Sequence, residues 1–373
     1  MGLGDIPNLI WSNDGKMSFE DTKVGRMKKK IWDATEEELD AMLAEFGFPC
    51  DPQFGQPGMY LQTTVRAQVL EEKKKNDVIL IPVGCTEMHG THTVSGMDTF
   101  FVTCICEGVR RYTAKKGYPT TISLPPLIYG CHPLHHMGMP GTVVIHEDVV
   151  IGQLEDVMLG LWNDGFRKQI LINNHGQFWV IESALQRFCK KYQLPGIFRC
   201  MDWHRAVREM FAVKRDGGVY DTPFTHADEA ETSCGLYLFP KMVDMRYAVD
   251  TDPMSLMKED GGHFDNSVDS YRRPSRWSEG EGHSAMEIYS TPEGVVGHAT
   301  KAAAYKAKRP LLCIMSYLAM LIEEYLENYP AGTTPKPEAM TMRTTEEMAP
   351  YMKEPFSEGW RSVYSISKFI YDE

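Results

Sequence analysis

The chain has 373 residues and lacks any long apolar run. No uninterrupted apolar stretch approaches the roughly 20 residues needed to cross a bilayer. Its first residues, MGLGDIPNLIWSNDGKM, hold no apolar core of the kind a secretory leader needs. Cysteine is sparse: 9 residues, odd in number and scattered, where a secreted disulfide framework is dense and usually even. These absences predict a reduced, cytoplasmic protein with no membrane partner. Positive charge is also short, with Lys+Arg 39 against Asp+Glu 51 and a net charge of −12. Such a field repels nucleic acid and anionic lipid, so neither is an expected partner. Several catalytic signatures are missing too. There is no Gly-x-Gly-x-x-Gly after a strand, no P-loop, no His-Glu-x-x-His and no Gly-x-Ser-x-Gly, which removes the chemistries those motifs carry.

What is present describes a soluble enzyme-like chain. Hydrophobic residues at 43% and charged residues at 24% are ordinary for a globular domain, and the length allows a sizeable core without staples. Thr35-Glu-Glu-Glu38 fits a capping box, with Leu39, Met42, Leu43 and Phe46 as the apolar face that follows and Gly47 as its close. A second helix is expected from about Val65 to Lys75. The run Val78 to Gly84 is continuous and β-branched, as in a strand buried on both faces of a parallel sheet. Strand signals recur at Thr120–Leu124, Gly141–Ile145, Lys168–Asn173 and Gly196–Met201. Helical patterns alternate with them at Thr99–Lys116, Asp148–Asn163 and Phe178–Tyr192. This alternation predicts an α/β fold with a mostly parallel sheet. We divide the chain into an N-terminal extension, 1–76, a main domain, 77–329, and a C-terminal tail, 330–373, expected to wrap the surface or a neighbouring subunit. Within the main domain, 252–290 reads as an irregular polar excursion, and 300–328 as a long helix that Pro310 kinks or splits.

The chemistry-bearing residues cluster at strand ends, where ligands gather in open α/β sheets. Glu87 and His89 follow the first core strand, two apart, so their side chains diverge; one use is to serve two neighbouring metal ions. Asp98 follows just before a helix, where its two oxygens suit a bridge between ions roughly 3.5–4 Å apart. Polar loop residues with local hydrogen bonds show the same spacing. His175 and Gln177 sit in the turn Asn173-Asn-His-Gly-Gln177 after another apolar strand. That turn equally suits a plain helix cap. His226 opens His226-Ala-Asp-Glu-Ala-Glu-Thr-Ser233, placed to act as general acid or base. Glu229 and Glu231 there also have an ordinary role against the helix dipole.

Taken in order, these pieces resemble the creatininase (creatinine amidohydrolase) family. Pro82-Val-Gly-Cys-Thr-Glu-Met-His-Gly-Thr-His92 is similar to its Pro-Val-Gly-Ser-Thr-Glu-Gln-His-Gly-Pro-His signature, with Asp98 at the matching offset. His136-Met-Gly-Met-Pro-Gly-Thr142, Asn173 to Phe178, His226 to Ser233 and Gly294-Val-Val-Gly-His-Ala-Thr300 resemble its later motifs. The resemblance implies a three-layer α/β sandwich and metal-dependent hydrolysis with two divalent ions, zinc, manganese or iron. It places Glu87, Asp98 and His175 on the first ion and His89 and Asp98 on the second, with His226 moving the proton. The family carries a glutamate where this chain has Gln177, so Glu231 is the expected substitute on the second ion, with Gln177 itself or water as the next choice. His92, His136, Gln177 and Glu229 are the expected substrate contacts, and Asn173, Asn174 and His92 the expected supports of the ligands. The implied substrate is a small polar ring. The first choice is hydrolytic C–C opening of a cyclic diketone, as in the 3-dehydro-scyllo-inosose hydrolases of inositol breakdown. The alternative is a cyclic amide such as creatinine, or a formamide. A binding protein without turnover is the reading from a different class. The family also implies a homo-oligomer, commonly a hexamer.

Overall fold

Val78–Val83, strand β1, is buried along its whole length and is an inner strand of a four-stranded sheet. The computed structural model describes residues 10–11, 17–18, 21–45, 60–133, 136–251 and 293–369. The chain divides into two units, Met1–Gln56 and Pro57–Glu373. In the first unit, helices α1 (Lys23–Asp33) and α2 (Glu36–Glu45) follow one another. The capping box at the start of α2 is formed in both directions. The Glu38 amide donates to Thr35 Oγ1 at 3.3 Å, and the Thr35 amide donates to Glu38 Oε2 at 2.9 Å. The expected close at Gly47 lies outside the described residues.

The second unit opens with α3 (Arg66–Lys73), then β1, α4 (Met97–Lys115), β2 (Thr121–Ile122), α5 (Glu147–Asn163), β3 (Lys168–Asn173), α6 (Phe178–Tyr192) and β4 (Ile197–Asp202). A short α7 (Trp203–Ala206), then α8 (Glu229–Leu238) and α9 (Lys308–Asn328), complete the main body. All four strands are parallel, in the order β2-β1-β3-β4. Side chains alternate across a strand, and here the alternation sorts the core into two. Val78, Leu80, Ile170 and Ile172 face a layer built from α4 and α9. Ile79, Ile81, Val83 and Leu171 face α5 and α6. Helices cover both faces, which is why β1 reads as an unbroken apolar run and β3 carries Ile170-Leu-Ile172 at its centre. The fold is thus the three-layer α/β sandwich with a parallel sheet. Pro82 is tolerated in this central strand for a local reason. Its carbonyl accepts from the Leu127 amide at 3.1 Å, so its missing N–H also faces the β2 side, where β2 has already ended at Ile122.

Three expectations change. Gly141–Ile145 is no strand; only Val144 makes a single bridge, to Gly130. Val143 and Val144 are exposed at 41% and 38%, so this β-branched run has no second face to bury. Pro310 does not kink a helix but lies in the first turn of α9, where its absent N–H has no intrahelical partner to lose. The tail packs on its own chain: Met348, Val363 and Ile366 join the core over α5 and α6, and buried Arg343 donates to the carbonyls of Tyr192 and Ser367. The excursion 252–290 lies outside the described residues. The chain meets it through a two-residue antiparallel pair, Asp250–Thr251 with Gly297–His298. Among the described residues no helix is long and apolar enough to cross a membrane.

Candidate metal centre

The centre forms where loops after β1, β2 and β3 meet the start of α8. Gly84 ends β1 because α4 docks directly against it: a Cβ there would lie 2.5 Å from Thr99 Cα. That contact, with Thr99 Oγ1 donating to the Cys85 carbonyl at 3.0 Å, sets Asp98 in the first turn of α4 beside Glu87 and His89. At α8, Asp228 is the N-cap, accepting from the Ala230 and Glu231 amides at 2.9 and 3.0 Å. His226 is pinned just before the cap by two backbone hydrogen bonds with Val296, 3.3 and 2.9 Å. Its neighbour Ala227 takes φ 49°, a left-handed conformation costly for a residue with a Cβ. Glu231 Oε2 accepts from the Ala227 amide at 2.5 Å, which ties the strained turn to the acid.

These loops bring together Glu87, His89, Asp98, His175, His226 and Glu231, all buried. His175 Nδ1 is 2.9 Å from Glu87 Oε2 and 3.4 Å from Asp98 Oδ2. His89 Nε2 is 3.5 Å from Asp98 Oδ1 and 3.6 Å from Glu231 Oε2. Asp98 therefore presents one oxygen to each histidine. Each of four imidazoles has its N–H tied to a backbone carbonyl and its other nitrogen turned to the carboxylates. His89 donates to Glu87 at 3.1 Å, His175 to Cys131 at 3.0 Å, His226 to Met88 at 2.8 Å and His132 to Val143 at 3.1 Å. This is how metal-bound histidines are held, with tautomer and ring plane set by an outer partner. Asn174 supports Asp98 at 2.7 Å and is itself held by Trp203.

Burial works against every charge here, and the charges answer one another. Glu87 is disfavoured by burial, yet His136, His175 and His226 hold its carboxyl well below the usual range. Asp98 behaves likewise through His89 and His175. Burial would lower His89, but Asp98 and Glu231 push it up to about 10; Glu87 and Asp98 raise His175 in the same way. Burial pushes Glu231 up to about 8. His226 goes the other way: burial, with His136 and His89 near it, holds it well below its ordinary value. The Cys85 thiol is pushed up by burial and by Asp98 and Glu87, and it donates to Asp98 Oδ2 at 2.9 Å.

Not every expected residue reaches the centre. Gln177 turns away: its Oε1 accepts from the Cys131 amide at 3.1 Å and its Nε2 donates to the Gly84 carbonyl at 3.1 Å. His92 is buried against Thr232 at 2.9 Å. Glu229 accepts from the amides of Asp221 and Thr222 and pairs with Lys306. None of these three lines the cavity beside the centre, whereas His136 does, together with Pro133, Asp202, His204, Phe224 and Thr225. Asn173 donates both to the backbone carbonyl of His175 and to Asp202. Motif reading missed His132, Asp202 and His204. Gly130-Cys-His132 lies in the loop after β2, and Asp202-Trp-His204 begins on the last residue of β4; that position was the available signal.

A family model described as Creatininase: Creatinine amidohydrolase matches residues 63–322, which hold this whole centre. This chain belongs to the creatininase family. It is a hydrolase. It is similar to the 3-dehydro-scyllo-inosose hydrolase of Thermotoga maritima, 44% identical over 308 residues, covering 83% of this chain and 96% of that protein. It is also 26% identical over 191 residues to the creatinine amidohydrolase of Pseudomonas putida, covering 47% of this chain and 70% of that one. A crystal structure of creatinine amidohydrolase (creatininase) superposes with TM-score 0.56 at 18% identity, covering 74% of this chain and 99% of that one. That likeness shows the shared fold. Among such creatininase structures, one is described as a Zn-Zn type and another as creatininase Mn. The residues of this family member fit such ions. His89 Nε2 and His132 Nδ1 are buried with no hydrogen-bond partner, and both point into the same carboxylate and imidazole cluster.

Proposed function

We propose that this hydrolase opens a polyhydroxylated cyclic diketone of the 3-dehydro-scyllo-inosose type by hydrolytic C–C cleavage, using two divalent ions. The observation that carries the substrate is the 44% identity to the Thermotoga enzyme across 96% of its length. Glu87, Asp98 and His175 would hold one ion, and His89, Asp98 and Glu231 the other, zinc, manganese or iron. Glu231 takes the place that Gln177 vacates, being 3.6 Å from His89 Nε2. Ions bound there supply Lewis-acid polarisation of a carbonyl and lower the pKa of a water. His226 faces the centre with a bare Nδ1, 4.0 Å from both Glu87 and Glu231. Its depressed pKa keeps the imidazole neutral, so Nδ1 is open to a proton from the attacking water. The water's oxygen joins one ketone carbon, and the ring C–C bond breaks. Its electron pair passes to the carbon next to the second ketone, which spreads the charge as an enolate. His226 then returns its proton to that carbon. Asn174, Asp202, His204 and Thr225 on the cavity wall offer hydrogen bonds to ring hydroxyls, and His136 lies beside His226, ring centroids 4.5 Å apart.

The test is a side-by-side assay of 3-dehydro-scyllo-inosose and creatinine with the metal-loaded protein. Ring opening of the diketone with little turnover of creatinine is expected; the reverse preference sinks the substrate assignment. The described cysteines form no disulfide, which supports a reduced, cytoplasmic setting. We further propose a homo-oligomer, a hexamer on the family pattern, to be checked by light scattering coupled to size exclusion.

A further inference from the structure

His132 stands in the loop after β2 with its side chain buried. Its Nε2–H donates to the Val143 carbonyl, which leaves Nδ1 as a lone-pair acceptor. That nitrogen lies 3.8 Å from Glu87 Oε1 and has no hydrogen-bond partner. Folded proteins rarely leave a buried acceptor without a donor, and an ion is one recognised reason when they do. The His132 ring meets His175 edge-on, with centroids 4.6 Å apart. Ligand atoms of His132, His175, Glu87 and Cys85 all lie within 4.8 Å of one another. Zinc bonds to nitrogen and oxygen of about 2 Å draw such atoms together around one centre. Of the four, Cys85 is already committed, its thiol donating to Asp98.

We propose that His132, through Nδ1, is a further protein ligand of the ion held by Glu87, Asp98 and His175. This rests on the two-ion assignment above and adds to it a residue that the sequence motifs omit. The first ion then sees two carboxylates and two imidazoles. A second imidazole shifts that position towards zinc and away from manganese, which is better served by oxygen donors.

The experiment uses the intact protein and the variants His132→Ala and His132→Gln. Glutamine keeps a donor for the Val143 carbonyl, and near-ultraviolet circular dichroism of the metal-free forms checks that the fold persists. Zinc affinity is read by competition with a chelator, and coordination by the visible spectrum after cobalt substitution. Loss of an outer support costs roughly 10- to 100-fold in metal affinity. We expect one zinc to weaken by more than that while the other holds, and the cobalt bands to move. Unchanged affinity and spectrum in both variants overturn the proposal. So does a weakening with an unchanged cobalt spectrum, which would make His132 a positioning residue behind Glu87. X-ray absorption of the unaltered zinc protein gives a check that needs no variant: three histidines per pair of ions are expected, and two would refute the assignment. An intact protein that binds no ion would instead bring down the two-ion assignment itself.

Discussion

Asp98 is the residue on which both halves of the centre depend, because its two oxygens face different histidines. Asp98→Ala is expected to lose both ions in metal analysis. His226→Ala should keep both and lose about 10²- to 10⁴-fold in kcat; retained turnover in either variant refutes its role. The raised values of His89, about 10, and Glu231, about 8, mean that these two groups hold protons at pH 7 in the metal-free protein. An ion must displace them. Titrating zinc into metal-free protein in weak buffer at pH 7 should therefore release acid, and affinity should fall as pH drops. Uptake without proton release would show that these groups are not the ligands. Glu87, His89, Asp98 and His175 were legible as candidates because each follows a strand end or opens a helix. His92, Gln177 and Glu229 misled for the same reason. Closeness in sequence does not say which way a side chain turns, and all three turn to neighbours outside the cavity.

At the scale of elements, the start of α8 does most to shape the centre. Its Asp228 cap is bonded to the amides of Ala230, Glu231 and Thr225, so it holds both the acid and the chain just before His226. Asp228→Ala should cost about 0.5–2 kcal/mol of stability, seen as a lower thermal midpoint, and should weaken the ion proposed at His89 and Glu231. A full loss of stability with normal metal binding would separate the cap from the centre. The strands and helices were mostly readable, since burial on two faces leaves an unbroken apolar run and burial on one face leaves a helical stripe. Gly141–Ile145 misled because β-branched composition says nothing about whether a partner strand lies alongside.

For the whole molecule, the tail belongs to the fold that carries the centre. Met348 is fully buried among α5 and α6 residues, so Met348→Ala should cost about 2–5 kcal/mol, measured by urea unfolding. A change within error would mean that the tail only rests on the surface. Its Pro-, Thr- and Met-rich composition hid this role, because three scattered apolar side chains form no periodic pattern. Between the layer of α4 and α9 and that of α5 and α6, the carboxyl ends of β1, β3 and β4 lead to one cavity.

Local pattern was sufficient for the α/β alternation, the parallel strands and the ordered motifs from Pro82 to Thr300. Each of these is written in spacings of a few residues, and the backbone geometry of strand and helix converts such spacings directly into direction. Packing chose the partner of His89. Glu231 reaches it because the strained turn at Ala227 and the Asp228 cap aim α8 at the loop after β1, while Gln177 spends its amide on Cys131 and Gly84. Packing also brought in His132, from a loop whose sequence carries no motif. Side-chain direction at such sites is set by contacts between segments far apart in the chain, and no short spacing encodes it.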